Sequence, residues 1–282
     1  MSQTTRRISY VFLCTLPFLD LVIMGTRPLR IPGLYQAIGA VLFIAIVLAA
    51  WTLGASVIGS GAAAPRKLAL AGVLLITPWA IMSLLWVGIG APFQAATEEN
   101  YMRFLVLVAN SIIVASAFVV LKEALYEAGE SFYSTIGFAA SISAGVAYFV
   151  SNSMSLARSL EAMRGEATPP PILLGDLFSV IEFFACVLTY VATAVFAISF
   201  GQGRLLGRGA VRGFVIASSV LLFFLIMRGL SYPEISGDTV PWYTRPGVIV
   251  GIPAFPWLLP CLLGVVLLRR AGESGDDLGT SQ

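Results

Sequence analysis

Long apolar stretches occupy most of this chain and constrain its fold more than any other feature. A helix needs roughly 20 mainly apolar residues to cross the hydrocarbon core of a bilayer. Helices are expected because a lone open strand leaves backbone groups unpaired in lipid. Eight segments qualify: 8–26, 34–58, 68–90, 104–121, 133–153, 172–200, 214–231 and 248–268. The sequence therefore predicts an all-α, polytopic integral membrane bundle of about eight transmembrane helices.

Composition agrees with a membrane class and removes several chemistries. Hydrophobic residues make up 58% of the chain and charged residues 11%, against about 25% charged in a typical soluble domain. The chain has no His, which excludes His-ligated metals and His acid–base catalysis. Its three Cys lack C-x-x-C spacing, and no phosphate-binding glycine loop is present. We expect no cofactor and no metal site.

The distribution of basic residues predicts the orientation. With the N-terminus inside, the inner segments hold ten Lys or Arg residues and the outer segments six, and such an excess is typical of the cytoplasmic side. Both termini are then cytoplasmic. The Arg-rich, Lys-poor composition is typical of a bacterial chain, so we predict a bacterial inner membrane. The basic residues form no cluster, so no nucleic-acid partner is expected. We predict one transmembrane domain over 1–270 and a disordered cytoplasmic tail over 271–282.

Four ionisable residues lie inside the predicted spans: Asp20, Asp176, Glu182 and Arg228. Such residues are costly in a bilayer and indicate a functional site by default. In the predicted topology all four fall in the outer half of the membrane. Asp176 and Arg228 form a plausible ion pair between consecutive helices. Asp20 and Glu182 would then be two acids without an obvious partner, which favours a bound cation or a shared proton.

The sixth predicted helix carries a polar stripe. Its members recur at spacings of three and four residues, which places them on one helical face; they are Ser179, Glu182, Cys186, Thr189 and Thr193. One hypothesis is a proton or cation pathway with Glu182 as the carrier. The alternative is a seam between helices, with the hydroxyls bonded across it or back to their own helix.

Small residues mark a packing face on the fifth predicted helix. Gly137, Ser141, Ser143 and Gly145 are the residue types that let membrane helices approach closely. We therefore predict that this helix is a structural contact rather than part of a pathway.

The segment from Pro17 to Ile31, with the apolar helices that follow and the region from Trp86 to Leu121, resembles the start of O-antigen polymerase and ligase proteins. The likeness covers less than half of the chain. It implies a role in assembling envelope polysaccharide or lipid-linked glycan. The large Arg-rich periplasmic loop of those proteins has no counterpart here.

Three functions follow from these observations. The first is a small gradient-driven transporter or ion-conducting protein, with Asp20, Asp176, Ser179, Glu182, Thr189, Thr193 and Arg228 along the pathway. The second is a non-catalytic membrane subunit or scaffold that binds protein partners or a second copy of the chain. The third is envelope glycan assembly, with a pyrophosphate lipid held by Arg27, Arg30, Arg103 and Arg245. The sequence leaves enzymatic activity open and favours its absence.

Overall fold

The computed structural model describes residues 3–26, 33–59, 63–90, 95–165, 172–229 and 255–279. Within these ranges, side chains are described except at 21–26, 172–176, 228–229, 255 and 275–279. The described residues form helices and turns and contain no strand. The predicted all-α class is confirmed for this part of the chain.

Eight α-helices occur in the described ranges, and each overlaps one of the eight predicted segments. They are α1 Gln3–Thr26, α2 Leu34–Leu53, α3 Ala63–Gly88, α4 Thr97–Glu127, α5 Phe132–Met163, α6 Ile172–Gln202, α7 Arg208–Gly229 and α8 Leu258–Gly279. Short 3-10 turns at Ala55–Gly59 and Phe255–Trp257 follow α2 and precede α8.

Six of the described helices are long and apolar enough to cross a membrane, judged by length and composition: α2, α3, α4, α5, and most of α6 and α7. The chain therefore has the character of a multi-pass membrane protein. Helices α1 and α8 are not among the six. The count of eight spans stays a prediction.

Several helices extend beyond the predicted apolar segments. Helix α4 begins at Thr97 and ends at Glu127, and α5 continues to Met163, whereas the predicted segments were 104–121 and 133–153. The added turns are polar. Glu98 and Glu99 occupy the first turn of α4, where carboxylates stabilise the positive end of the helix dipole. Hydropathy reports only the apolar part of a helix, which explains the difference.

The chain divides into two compact units. The first comprises residues 1–124 and 260–282, and the second comprises residues 125–259. This division does not test the prediction of a single transmembrane domain. Helix α8 continues to Gly279, into the stretch that the sequence assigned to the C-terminal tail.

The first unit is held together by close approaches between helix backbones. A methyl group on Gly264 of α8 would lie 2.7 Å from the carbonyl oxygen of Gly72 on α3, so only glycine fits at this crossing. Near the other end of α3, a methyl group on Gly39 of α2 would lie 3.2 Å from the Leu84 carbonyl oxygen. Small residues permit this approach where helices cannot be driven together by the hydrophobic effect.

The second unit is built on the packing of α5 against α6 and of α6 against α7. Gly137, Ser141 and Gly145 of α5 are buried, as predicted, and a methyl group on Gly137 would lie 3.0 Å from the Phe196 ring. Ser143 is exposed, and its inclusion in this face was wrong. It lies two residues from both Ser141 and Gly145, roughly 200° around the helix.

Candidate functional site

Asp20 is enclosed within the first unit. It lies on the same face of α1 as Leu13 and Leu16, because spacings of three and four residues align side chains on a helix. All three side chains are buried, and Asp20 has 0% of its surface exposed. The predicted intramembrane acid at this position therefore faces the interior of the bundle.

Helix α3 supplies the polar groups around this carboxyl. The indole Nε1–H of Trp79 donates a hydrogen bond to Asp20 Oδ2 at 3.0 Å. Ser83 lies one turn further along α3, and its hydroxyl interacts with the same carboxyl without reaching good hydrogen-bond geometry. Among the described residues, neither Asp20 Oδ1 nor Ser83 Oγ has a hydrogen-bond partner, although both are buried.

A thiol completes the described surroundings of Asp20. Cys261 of α8 is buried and lies close enough to Asp20 and Cys14 for electrostatic interaction. Free thiols are uncharged at neutral pH, so they do not balance a carboxylate. In the part of the chain that the structure describes, no Lys or Arg is paired with Asp20. A lone buried carboxylate is strongly unfavourable, so this site favours a carboxyl that carries a proton or holds a cation.

The C-terminal part of the polar stripe on α6 faces α5. Cys186, Thr189 and Thr193 are buried, as one shared face requires. The Tyr148 hydroxyl of α5 donates to Cys186 Sγ at 3.6 Å, and Thr189 Oγ1 lies 3.5 Å from the same hydroxyl. Thr189 and Thr193 donate to carbonyl oxygens of their own helix, each at 2.8 Å. This is the arrangement of a helix–helix seam.

The N-terminal part of the stripe is more exposed to solvent. Ser179 and Glu182 are half-buried, and neither is without a partner. Glu182 lies close enough to Tyr148 to act on it electrostatically. The side chains of Asp176 and Arg228 lie outside the described residues, so their predicted ion pair stays a prediction. Of the predicted site residues, Asp20 belongs to the first unit and the other six to the second.

A second buried acid, Glu130, was not predicted. It follows the turn that ends α4, where Gly129 has a φ of 83°. The amide of Glu130 bonds to the Leu125 carbonyl and that of Gly129 to the Tyr126 carbonyl, the Schellman ending of a helix. This turn places the Glu130 side chain, only 7% exposed, at the N-terminus of α5.

The Glu130 carboxylate accepts three hydrogen bonds, and each of its oxygens accepts at least one. Oε1 accepts the Tyr133 amide at 2.8 Å, and Oε2 accepts the Ser134 amide at 3.0 Å and the Ser199 hydroxyl of α6. Burial alone would raise the pKa of Glu130, but these hydrogen bonds outweigh it and hold the pKa below its ordinary value. In its charged form, the Glu130 carboxylate links the first turn of α5 to Ser199, near the end of α6.

Arg103 does not lie open at the surface. Its side chain is 0% exposed, donates to the Gly90 carbonyl oxygen, and places its guanidinium 5.1 Å from the centre of the Trp86 ring. This position suits a packing role rather than capture of a lipid pyrophosphate. Arg27, Arg30 and Arg245, the other residues predicted for that role, lie outside the described residues.

The chain matches no family model, no curated protein and no solved structure. Within the described residues, no group of three or more acidic or Cys side chains is arranged to hold a metal ion.

Proposed function

We propose that this chain is a small gradient-driven transporter or ion-conducting protein, and that Asp20 is the group that binds and releases the transported ion. The observation that carries the proposal is a completely buried carboxyl with one oxygen that has no partner among the described residues, beside a hydroxyl that likewise has none among them. A permanently structural acid is expected to have its acceptors satisfied, because an unsatisfied buried polar atom costs about 1–3 kcal/mol. Unsatisfied buried polar atoms that persist despite this free-energy cost are typical of functional sites.

Asp20 replaces Glu182 as the leading ion carrier. Glu182 is half-buried and has a partner. The hydroxyls of Thr189 and Thr193 donate hydrogen bonds to carbonyl oxygens of their own helix. These features leave little unused binding capacity along α6. The carboxyl on α1 has that capacity, because one oxygen accepts the indole hydrogen and the other accepts nothing among the described residues.

We further propose eight spans, including α1 and α8, with both termini in the cytoplasm of a bacterial inner membrane. Contacts within the first unit support this topology. Arg6 of α1 donates to the Gly272 carbonyl of α8 at 3.4 Å, and Arg269 lies 4.9 Å from the Tyr10 ring centre. The basic ends of the first and last helices are therefore neighbours, as expected if both face the cytoplasm.

Ion flux in proteoliposomes tests the proposal. Proton and alkali-cation fluxes are measured under imposed gradients for the wild type, Asp20→Asn and Glu182→Gln. We expect flux in the wild type, none in Asp20→Asn, and retained flux in Glu182→Gln. Equal flux in the wild type and Asp20→Asn would contradict the role of Asp20, and abolition by Glu182→Gln alone would return the pathway to α6.

The second candidate is a non-catalytic membrane subunit. The seam formed by Tyr148, Cys186 and Thr189 favours it, because a polar stripe satisfied inside the protein needs no pathway. This function predicts no flux of any ion from the wild type, together with a partner that co-purifies in fixed proportion. Such a result would replace the transport proposal.

A further inference from the structure

We propose that the ion bound at Asp20 is a proton, that it resides on Oδ1, and that the Ser83 hydroxyl accepts its hydrogen bond. This inference depends on the proposed transport function and names its ion. It starts from the two buried atoms that lack partners among the described residues, Asp20 Oδ1 and Ser83 Oγ. They belong to side chains that interact with each other, so one added hydrogen serves both.

The hydrogen-bond inventory assigns the position of the proton. Oδ2 already accepts the Trp79 N–H at 3.0 Å, and indole is a donor only. A proton on Oδ2 would compete with that donor, whereas a proton on Oδ1 meets no donor. A protonated carboxyl offers one O–H donor, and the hydroxyl oxygen of Ser83 is an acceptor. Binding forms the Oδ1–H bond, and release leaves its electron pair on the carboxylate.

The same surroundings disfavour an alkali cation. Hard cations take several oxygen ligands, about six to eight for calcium, and potassium channels surround their ion with carbonyl oxygens. The described side chains that interact with Asp20 are Trp79, Ser83 and Cys261. They offer one hydroxyl oxygen, a thiol and an N–H, and the N–H points its positive hydrogen at the carboxyl. A proton needs no such coordination shell.

Charge balance leads to the same conclusion. The described titratable group that interacts with Asp20 is the thiol of Cys261 on α8, while α3 contributes Trp79 and Ser83, which carry no charge. With no described cation beside it, Asp20 is far more stable as the neutral acid than as the carboxylate. A conformation that admits water or a counter-charge to Oδ1 would be needed for release.

Infrared spectroscopy tests the protonated state without relying on transport. Difference spectra compare the wild type with Asp20→Asn and Ser83→Ala in lipid at neutral pH. We expect a carboxylic acid C=O band in the wild type that disappears in Asp20→Asn. In Ser83→Ala the band should remain but shift, because the acid hydrogen has lost its acceptor. Glu182→Gln is the matched control and should leave this band unchanged.

The outcomes separate the two proposals. Absence of the band from wild-type spectra overturns the proton inference, even if Asp20-dependent alkali-cation flux upholds the transport function. A band without any proton flux overturns transport and leaves Asp20 as a buried structural acid. If Asp20→Asn fails to fold, Asp20→Glu replaces it: the band should persist at a changed frequency, and proton flux should be partly retained.

Discussion

Asp20 and Glu130 are both acidic side chains with almost no exposure to solvent, at 0% and 7% respectively, but their surroundings differ. Glu130 accepts hydrogen bonds from two amides of α5 and from the Ser199 hydroxyl. Asp20 accepts one bond, from Trp79, and its other oxygen has no partner among the described residues. Among the described residues, each unit thus contains one enclosed acid, with both carboxylate oxygens bonded in the second unit and one oxygen without a partner in the first.

The difference shows how a structural acid is told from a candidate functional one. Burial alone does not separate the two residues. The number of donors does, because donors stabilise the charged form and fix it in place. Glu130 is therefore a stable anion that joins two helices. Asp20 has an oxygen without a partner among the described residues, which is the feature that the proposed ion binding requires. The following predictions test this contrast.

The largest effect is expected from Glu130→Ala. It leaves the first amides of α5 and the Ser199 hydroxyl without their acceptor, and hydrogen bonds to charged groups are worth about 1.5–3 kcal/mol each, though not additively. We expect a loss of about 3 kcal/mol in the free energy of unfolding. The measurement is denaturation in mixed micelles, followed by helicity and by exposure of the buried thiols of Cys186 and Cys261.

A matched control for Glu130→Ala is Glu161→Ala, which removes an exposed acid from helix α5, the helix whose first amides Glu130 binds. We expect it to change stability by less than about 0.5 kcal/mol. Equal effects of the two substitutions would show that the bonds around Glu130 contribute nothing, and the contrast with Asp20 would be lost.

Acid pH should remove the contribution of Glu130 gradually. Its folded-state pKa lies below the ordinary value of 4.5. The stabilisation is thus complete above that value and is lost as the pH falls through the folded-state pKa. We expect the stability difference between the wild type and Glu130→Gln to be constant near neutrality and to shrink in acid. A difference that grows in acid would mean that the carboxyl is held in its protonated form.

Asp20→Leu should have a smaller effect on stability than Glu130→Ala. It removes the Oδ1 atom that has no described partner, but it leaves the buried Trp79 indole N–H without its acceptor, and an unsatisfied buried donor costs about 1–3 kcal/mol. We expect a net loss of about 1–2 kcal/mol in the same denaturation assay, together with complete loss of flux. A loss of stability near 3 kcal/mol would place Asp20 in the same structural class as Glu130.

Sequence reasoning predicted most of the fold and only part of the site. Apolar length located all eight described helices, and three- and four-residue spacing predicted the shared face of Cys186, Thr189 and Thr193. Trp79 could not be paired with Asp20, because the register between two helices leaves no periodic signal in either. Glu130 could not be singled out because it lies outside the apolar spans, where an acidic residue is common and predicts no function. The pair Gly129-Glu130 between two helices is a local signal for an acid at the start of α5. The hydrogen bond from Ser199 leaves no such signal, because Ser199 lies on a helix that is distant in the sequence.

The smallest effect is expected from Thr193→Val on the α6 seam. The Thr193 hydroxyl donates to the Thr189 carbonyl within the same helix, at 2.8 Å, and valine has nearly the same shape. The carbonyl keeps its place in the helix, so the substitution removes a local bond without exposing a neighbour. We expect a change of about 0.5 kcal/mol or less and unaltered ion flux. Reduced flux with intact folding would show that this hydroxyl serves a pathway, and the site would then extend along α6 as well as α1.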